Sequence, residues 1–457
     1  MKFLYRGRYA LGVVASAAIL TGCGGSQPPI GAGGAMQQAP PVRGSWAPLR
    51  REHKPVVLYS FSGSPDGAEP MSGVVYQAPN TDLGFGTTLM GGDANNDGTV
   101  YGLTEGKKNV WKESVLYTFK GANYSDGSEP AGITGIIERS QQAPDAIVTT
   151  VAGGTSNNGT VVELTPSSSV PWTESFIYSF RGTPDGANPY GPVIADKAGN
   201  LYGTTSAGGK SGAGTVYRMS LEGSSYIETV LYSFRSGTDG DHPYSGLIID
   251  EKGALYGTTV EGGATGSGTV FKLAPSGSGY TESILYSFQG PPNDGAEPYG
   301  GLTPVGTLPL TANGHVIGMS SSGGNQGYGT IYQLTLSGSH AKETVLWNFG
   351  TVSGDGAYPY GNACTDKKGV IYGTTRAGGS GGSSGLGTFF TLTPSSSTYK
   401  ESVYSFTGAN GANPYAGPSV DSKGNLYVTT ASGGSKDEGA VVTDLGPDNV
   451  RKKHIAC

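Results

Sequence analysis

The chain has 457 residues and a net charge of −6, with no long run of one sign. That balance leaves no electrostatic footprint for nucleic acid, which is not expected as a partner. With 79 glycines, 27 tyrosines and only 14% charged residues, the composition argues for turn-rich β structure and against helices built on Ala, Glu, Lys and Leu.

Lys2, Arg6 and Arg8 precede an apolar run from Tyr9 to Leu20, too short to span a membrane and suited to an export signal over residues 1–22. The run ends in Leu20-Thr21-Gly22-Cys23, which resembles the lipobox of bacterial lipoproteins. That resemblance implies a lipidated Cys23 at the mature N-terminus, holding the protein at a bilayer surface without a transmembrane helix. An ordinary signal peptide with an incidental Cys is the other reading. Gly24, rather than Asp, follows the Cys, which by analogy with lipoprotein sorting points to the outer membrane or cell surface. Residues 23–54 carry Gln27-Pro28-Pro29 and Gln38-Ala39-Pro40-Pro41 and no apolar period, as a flexible tether would.

From residue 55 to 446 one pattern repeats. An aromatic-ended run recurs at Leu58 to Phe61, Leu116 to Phe119, Ile177 to Phe180, Leu231 to Phe234, Leu285 to Phe288, Leu346 to Phe349 and Val403 to Phe406. An Asp-Gly turn follows at Asp66, Asp126, Asp185, Asp239, Asp294 and Asp355, with Asn410-Gly411 as its seventh form. Paired glycines recur at Gly91, Gly153, Gly208, Gly262, Gly323, Gly378 and Gly433. Within the fourth copy the spacing predicts strands a (Gly246 to Asp250), b (Leu255 to Thr259), c (Gly268 to Leu273) and d (Glu282 to Phe288), bounded by turn residues.

Seven four-stranded antiparallel units of about 54 to 61 residues predict an all-β, seven-bladed β-propeller. The termini sharpen this expectation. The last copy has strands a, b and c but no d, while the first motif, Val56 to Phe61, is a d strand with nothing before it. Pairing the two closes the ring. A parallel β-helix is the competing architecture, but it gives no reason to split a unit between the chain ends. A short tail, residues 447–457, follows the propeller.

The string Leu-Tyr-Ser-Phe, Asp-Gly-Ala-x-Pro-Tyr, Gly-Asn-Leu-Tyr-Gly-Thr-Thr, Gly-Gly, Gly-Thr-Val-Phe resembles the tandem repeat of the GloVer (Gloeo_Verruco) family of exported bacterial proteins, described as choice-of-anchor. The resemblance covers residues 56 to 445 and is clearest in the third and fourth copies; copies two and five depart from it at Ile147 to Thr150 and Val316 to Met319. It implies surface display, here through the lipid on Cys23, and carries no established activity. No catalytic residue is transferred.

In a propeller the d-to-a and b-to-c loops share one face. That face is expected to display Asp66, Asp126, Asp185, Asp239, Asp294 and Asp355 together with Tyr190, Tyr244, Tyr299, Tyr360 and Tyr415 around the central channel. Carboxylates and tyrosines suit sugars or peptides, since aromatic faces stack and carboxylates accept hydroxyl or amide protons. An Asp-Gly turn in every blade is equally what the fold needs for itself, and tyrosines after proline can pack between blades. Positions that break the repeat, above all Asp241 and His242, are better functional candidates.

Asp93, Asn95 and Asp97 with Gly98 fit the first half of a calcium loop, although Thr104 holds the twelfth position and Glu105 follows one place late. A plain hairpin is the alternative, and no other cofactor is expected. Glu113, Glu174, Glu228, Glu282, Glu343 and Glu401 open the d strands periodically, which suggests solvent or inter-blade pairing rather than an acid/base pair. Cys364 and Cys457 remain after lipidation; an exported setting allows them to pair, and their spacing neither requires nor forbids it. The expected function is a non-enzymatic binding or interaction module for a polysaccharide or another envelope protein. A carbohydrate-active hydrolase or lyase is the alternative, because propellers host both.

Overall fold

The computed structural model describes residues 55–76, 83–106, 110–137, 145–167, 170–223, 225–306, 310–396, 398–443 and 455–457. The expected signal peptide, Cys23 and the whole of the tether lie outside these residues. Seven antiparallel sheets form a β-propeller, each with four strands running a-b-c-d outwards, and one of them carries a fifth strand on its inner edge. In the fourth blade the strands are Ile248–Ile249, Leu255–Thr259, Thr269–Ser276 and Gly279–Ser287. The a strand is shorter than its sequence pattern suggests and c and d are longer. Blades converge at the axis, so inner strands are confined while outer strands have room to extend through their hairpin.

Leu-Tyr-Ser-Phe owes its form to a β-bulge. Val270 pairs with Tyr286 and Phe271 with Ile284, so Leu285 is the extra residue. The same shift skips Leu116, Ile177, Leu231 and Leu346. Blade six lacks it because its run from Glu401 to Phe406 is one residue shorter than Glu282 to Phe288, and there Phe389 and Phe390 pair with Tyr404 and Val403 without interruption. The bulge bends the outer strand. All seven Phe side chains that end the motif are at most 2% exposed.

The ring closes as the termini predict. Val56–Ser60 pairs with Ala440–Thr443, completing the blade built from Ser419–Val420 and Leu426–Thr430. The join repeats the geometry of unbroken blades. Phe61 donates its N–H to Gly439 O at 2.9 Å, as Phe119 does to Gly98 O and Phe234 to Gly214 O at 3.0 Å. Thr429 Oγ1 donates to Ser72 O across the closing interface at 2.8 Å, matching Thr204 to Ser245 O at 2.7 Å.

The six expected Asp side chains are not displayed. They are between 4% and 9% exposed, because each folds back onto its own turn. Asp185 shows the pattern: Oδ1 accepts from Gly186 N at 2.7 Å, and Oδ2 accepts from Arg181 N at 3.0 Å and from the Tyr178 hydroxyl at 2.9 Å. Asp66, Asp126, Asp239, Asp294 and Asp355 accept from the following glycine in the same way. A glutamate from the next blade's d strand then faces this carboxylate. Burial, followed by the adjacent Asp, raises Glu113, Glu228, Glu282 and Glu343 to about 7, Glu174 to about 8 and Glu401 to about 9. The highest belongs to the interface where Trp347 replaces the usual tyrosine. At the seventh interface the Asp position is Asn410 and the Glu position is Pro55, so both carboxyls are missing together. At these interfaces burial and the neighbouring Asp favour the protonated glutamate.

Two outcomes follow from this packing. Deleting Val56 to Phe61 should abolish cooperative unfolding or lower the melting temperature steeply, since the buried Phe61 side chain alone is worth about 3–5 kcal/mol; near-native melting of the deletion variant would refute the closure. An acid whose pKa is raised by folding binds its proton more tightly in the folded state, so its contribution is complete below about pH 4.3 and fades as pH climbs through about 7 to 9. Glu401→Gln, which keeps the neutral form, should therefore gain stability relative to the parent as pH rises from 6 to 10 in thermal melts, and an unchanged difference across that range would disprove proton sharing with Asp355.

Candidate functional site

The Asp-Gly-Ala-x-Pro-Tyr loop places each tyrosine by a fixed series of steps. After the Asp turn, two residues pair with the b-to-c loop in a short ribbon, Gly186 with Gly208 and Ala187 with Ala207 in blade three. That pairing fixes both loops on one face. The next residue turns the chain at positive φ, as Asn188, His242 and Asn413 do at 53° to 56°. Proline then packs on the preceding blade, where a Cβ on Gly214 would collide with the Thr205 carbonyl and the Pro243 ring. The tyrosine lands at the mouth of the channel.

Five such tyrosines form one continuous arc across blades three to seven. Ring centroids are 4.9 Å apart for Tyr190 and Tyr244, 5.3 Å for Tyr244 and Tyr299, 4.7 Å for Tyr299 and Tyr360, and 5.4 Å for Tyr360 and Tyr415. The Arg376 guanidinium lies over the last two rings, at 5.7 and 5.3 Å. Met71 and Ala131 occupy the tyrosine phase in blades one and two, so the arc has an open side. Burial first, then Tyr360 and Glu297, pushes the Tyr299 hydroxyl well above its ordinary value. It remains a neutral group able to donate and accept.

Tyr190, Tyr244, Tyr299 and Tyr360 line a central cavity of about 340 Å³, together with glycine, proline, serine and small aliphatic residues. Cys457 also lines it. Ile455–Ala456 adds a fifth strand to blade six, pairing Thr365 with Ala456 and Asp366 with Ile455 on the free inner edge of Cys364–Asp366. Cys457 is joined to Cys364 by a disulfide. The pairing that spacing left open is thus made by a strand lying inside the channel.

One blade breaks the ribbon pattern. Asp241 pairs with Glu261, where the other ribbons hold Ala68 with Met90, Ser128 with Ala152, Ala187 with Ala207, Ala296 with Ser322, Ala357 with Ala377 and Ala412 with Ser432. His242 reaches towards both acids, its Nδ1 2.9 Å from Asp241 Oδ1 and 4.0 Å from Glu261 Oε2. Its ring also stacks towards Tyr244 at 6.5 Å.

Glu261 and Arg376 are the site residues that sequence reasoning missed. Glu261 had a readable signal, since its repeat phase otherwise holds Ala, Ser or Met. The candidate calcium loop is used locally: Asp93 Oδ1 accepts from Asn95 N at 2.8 Å, and Asp97 Oδ1 accepts from Ser128 Oγ at 2.6 Å. Asp97 therefore serves the contact with the next blade, while Asn95 is exposed at the loop tip.

Among solved structures, an ancestral GH74 enzyme is similar at 12% identity and a TM-score of 0.49, covering 84% of this chain and 52% of that one. A 6-phosphogluconolactonase candidate from Bacteroides uniformis is similar at 11% identity and 0.47, covering 76% and 89%. Likeness at this level says nothing about substrate. A search of curated proteins finds no match. Residues 139–308 and 301–449 match the Gloeobacter/Verrucomicrobia repeat, together more than half of the chain. The chain belongs to the Gloeobacter/Verrucomicrobia repeat family.

Proposed function

We propose that this protein is a lipid-anchored component of the bacterial envelope whose propeller is a non-enzymatic binding module, taking a polysaccharide into the tyrosine-lined cavity. The arc of five tyrosines in mutual ring contact carries the reading. Aromatic faces bind the apolar faces of sugar rings, and neutral phenols exchange hydrogen bonds with their hydroxyls. A cavity of about 340 Å³ is at the small end of ligand sites, which suits one or two rings at a chain end better than an enclosed strand. Glycoside hydrolysis calls for two carboxyls flanking the scissile bond, whereas the periodic carboxylates here are committed to turns and blade interfaces.

The anchoring half of the proposal rests on Lys2, Arg6, Arg8, the apolar run and Cys23. The Cys364–Cys457 disulfide agrees with an exported, oxidising location.

The full chain should retain particular glycans on an array, and Tyr244→Ala or Tyr299→Ala should each weaken retention about three- to tenfold, the loss expected of one aromatic contact. Release of shortened products from the same glycans would overturn the binding-only reading. In a fractionated bacterial host, Cys23→Ser should move the protein from the membrane to the soluble fraction; unchanged membrane retention would refute the lipid anchor.

A further inference from the structure

Asp241, His242 and Glu261 form a group of three potential metal ligands whose donor atoms all lie within 4.8 Å of one another, and they are the one such group among the described residues. We infer that they bind a divalent transition ion of the zinc type at the rim of the tyrosine arc.

Three observations converge. First, Asp241 and Glu261 are direct cross-strand partners. Like charges placed opposite each other destabilise a ribbon unless a cation lies between them, and the other ribbons avoid the problem with small or neutral residues. Second, Asp241 Oδ1 and His242 Nδ1 are closed off from water and have no aligned hydrogen-bond partner, although they lie 2.9 Å apart. Buried polar atoms left in this way are costly, and a shared ion would satisfy both. Third, the spacing fits. Zinc bonds of about 2.0–2.2 Å in tetrahedral geometry place donor atoms roughly 3.3–3.5 Å apart, between the 2.9 Å and 4.0 Å separations seen here.

One imidazole and two carboxylates suit zinc better than calcium or magnesium, which prefer all-oxygen shells. Glu261 is the exposed member, with its side chain 63% exposed against 14% for Asp241. Three protein ligands leave a fourth position for water or for a donor from a bound ligand. His242 packs towards Tyr244, so that position adjoins the proposed binding surface without depending on it.

The repeat supplies variants that the fold already tolerates. Asp241→Ala and Glu261→Ala reproduce Ala187 and Ala207 of blade three, and His242→Asn reproduces Asn188, which holds the same backbone conformation at φ 56°. Tag-free full-length protein, stripped with chelator, should take up one zinc ion per chain in calorimetric titration at pH 7.5 and melt at a higher temperature with zinc. Each variant should weaken zinc binding by at least about tenfold, since even partners behind metal ligands are worth about 10- to 100-fold. Melting in chelator should be no lower than that of the parent, and higher where one of the two facing acids is removed, which separates lost metal binding from lost fold. Cobalt(II) should give a 1:1 visible spectrum without a thiolate band. Absence of zinc uptake, or uptake that survives the Asp241→Ala/Glu261→Ala double variant, would overturn the site.

Discussion

The hydrogen bond from Phe61 N to Gly439 O, and the strand pairing around it, is the constraint on which the architecture depends. Each blade buries its faces only against two neighbours, so an open ring would expose the faces of its first and last blades. Finishing the last blade with the first strand removes that exposure. It also links the chain ends: Val441 and Phe61 pack with Val74, Tyr101 and Leu103 in one cluster spanning the join. Stability of the ring is thus a property of its closure as well as of seven similar units.

Between blades the recurring residues serve packing rather than recognition. Glycines admit the proline of the next blade, the first Thr of Gly-Thr-Thr bonds to a neighbouring backbone carbonyl in several blades, and the Asp turn meets a glutamate from the adjacent d strand. At the closing blade both acids are absent, with Asn410 and Pro55 in their places. The physical reason is electrostatic: burial and the adjoining Asp both disfavour the charged glutamate.

Function is better sought where the sevenfold pattern is broken. The tyrosine arc covers five positions and stops at Met71 and Ala131, giving the channel mouth a direction. The strand Ile455–Ala456 lies against one side of the channel only, pinned by Cys457. Asp241, His242 and Glu261 occur together in a single ribbon. A symmetric scaffold thereby carries an asymmetric set of residues at the channel mouth.

The sequence by itself determined the strands, the blade count, the offset between repeat and blade, and the closure, because these follow from local turn chemistry and from a period that can be counted along the chain. Tyr190, Tyr244, Tyr299, Tyr360 and Tyr415 could be placed on one face from their repeat phase alone. Only the tertiary structure decided that the neighbouring Asp residues are buried, since that depends on a glutamate and a tyrosine hydroxyl meeting them at a blade interface. It alone brought Glu261 opposite Asp241 and Arg376 over two tyrosines, and carried Cys457 back across 93 residues to Cys364. Contacts between loops or chain ends depend on how blades are set around the axis, and that arrangement has no period in the sequence.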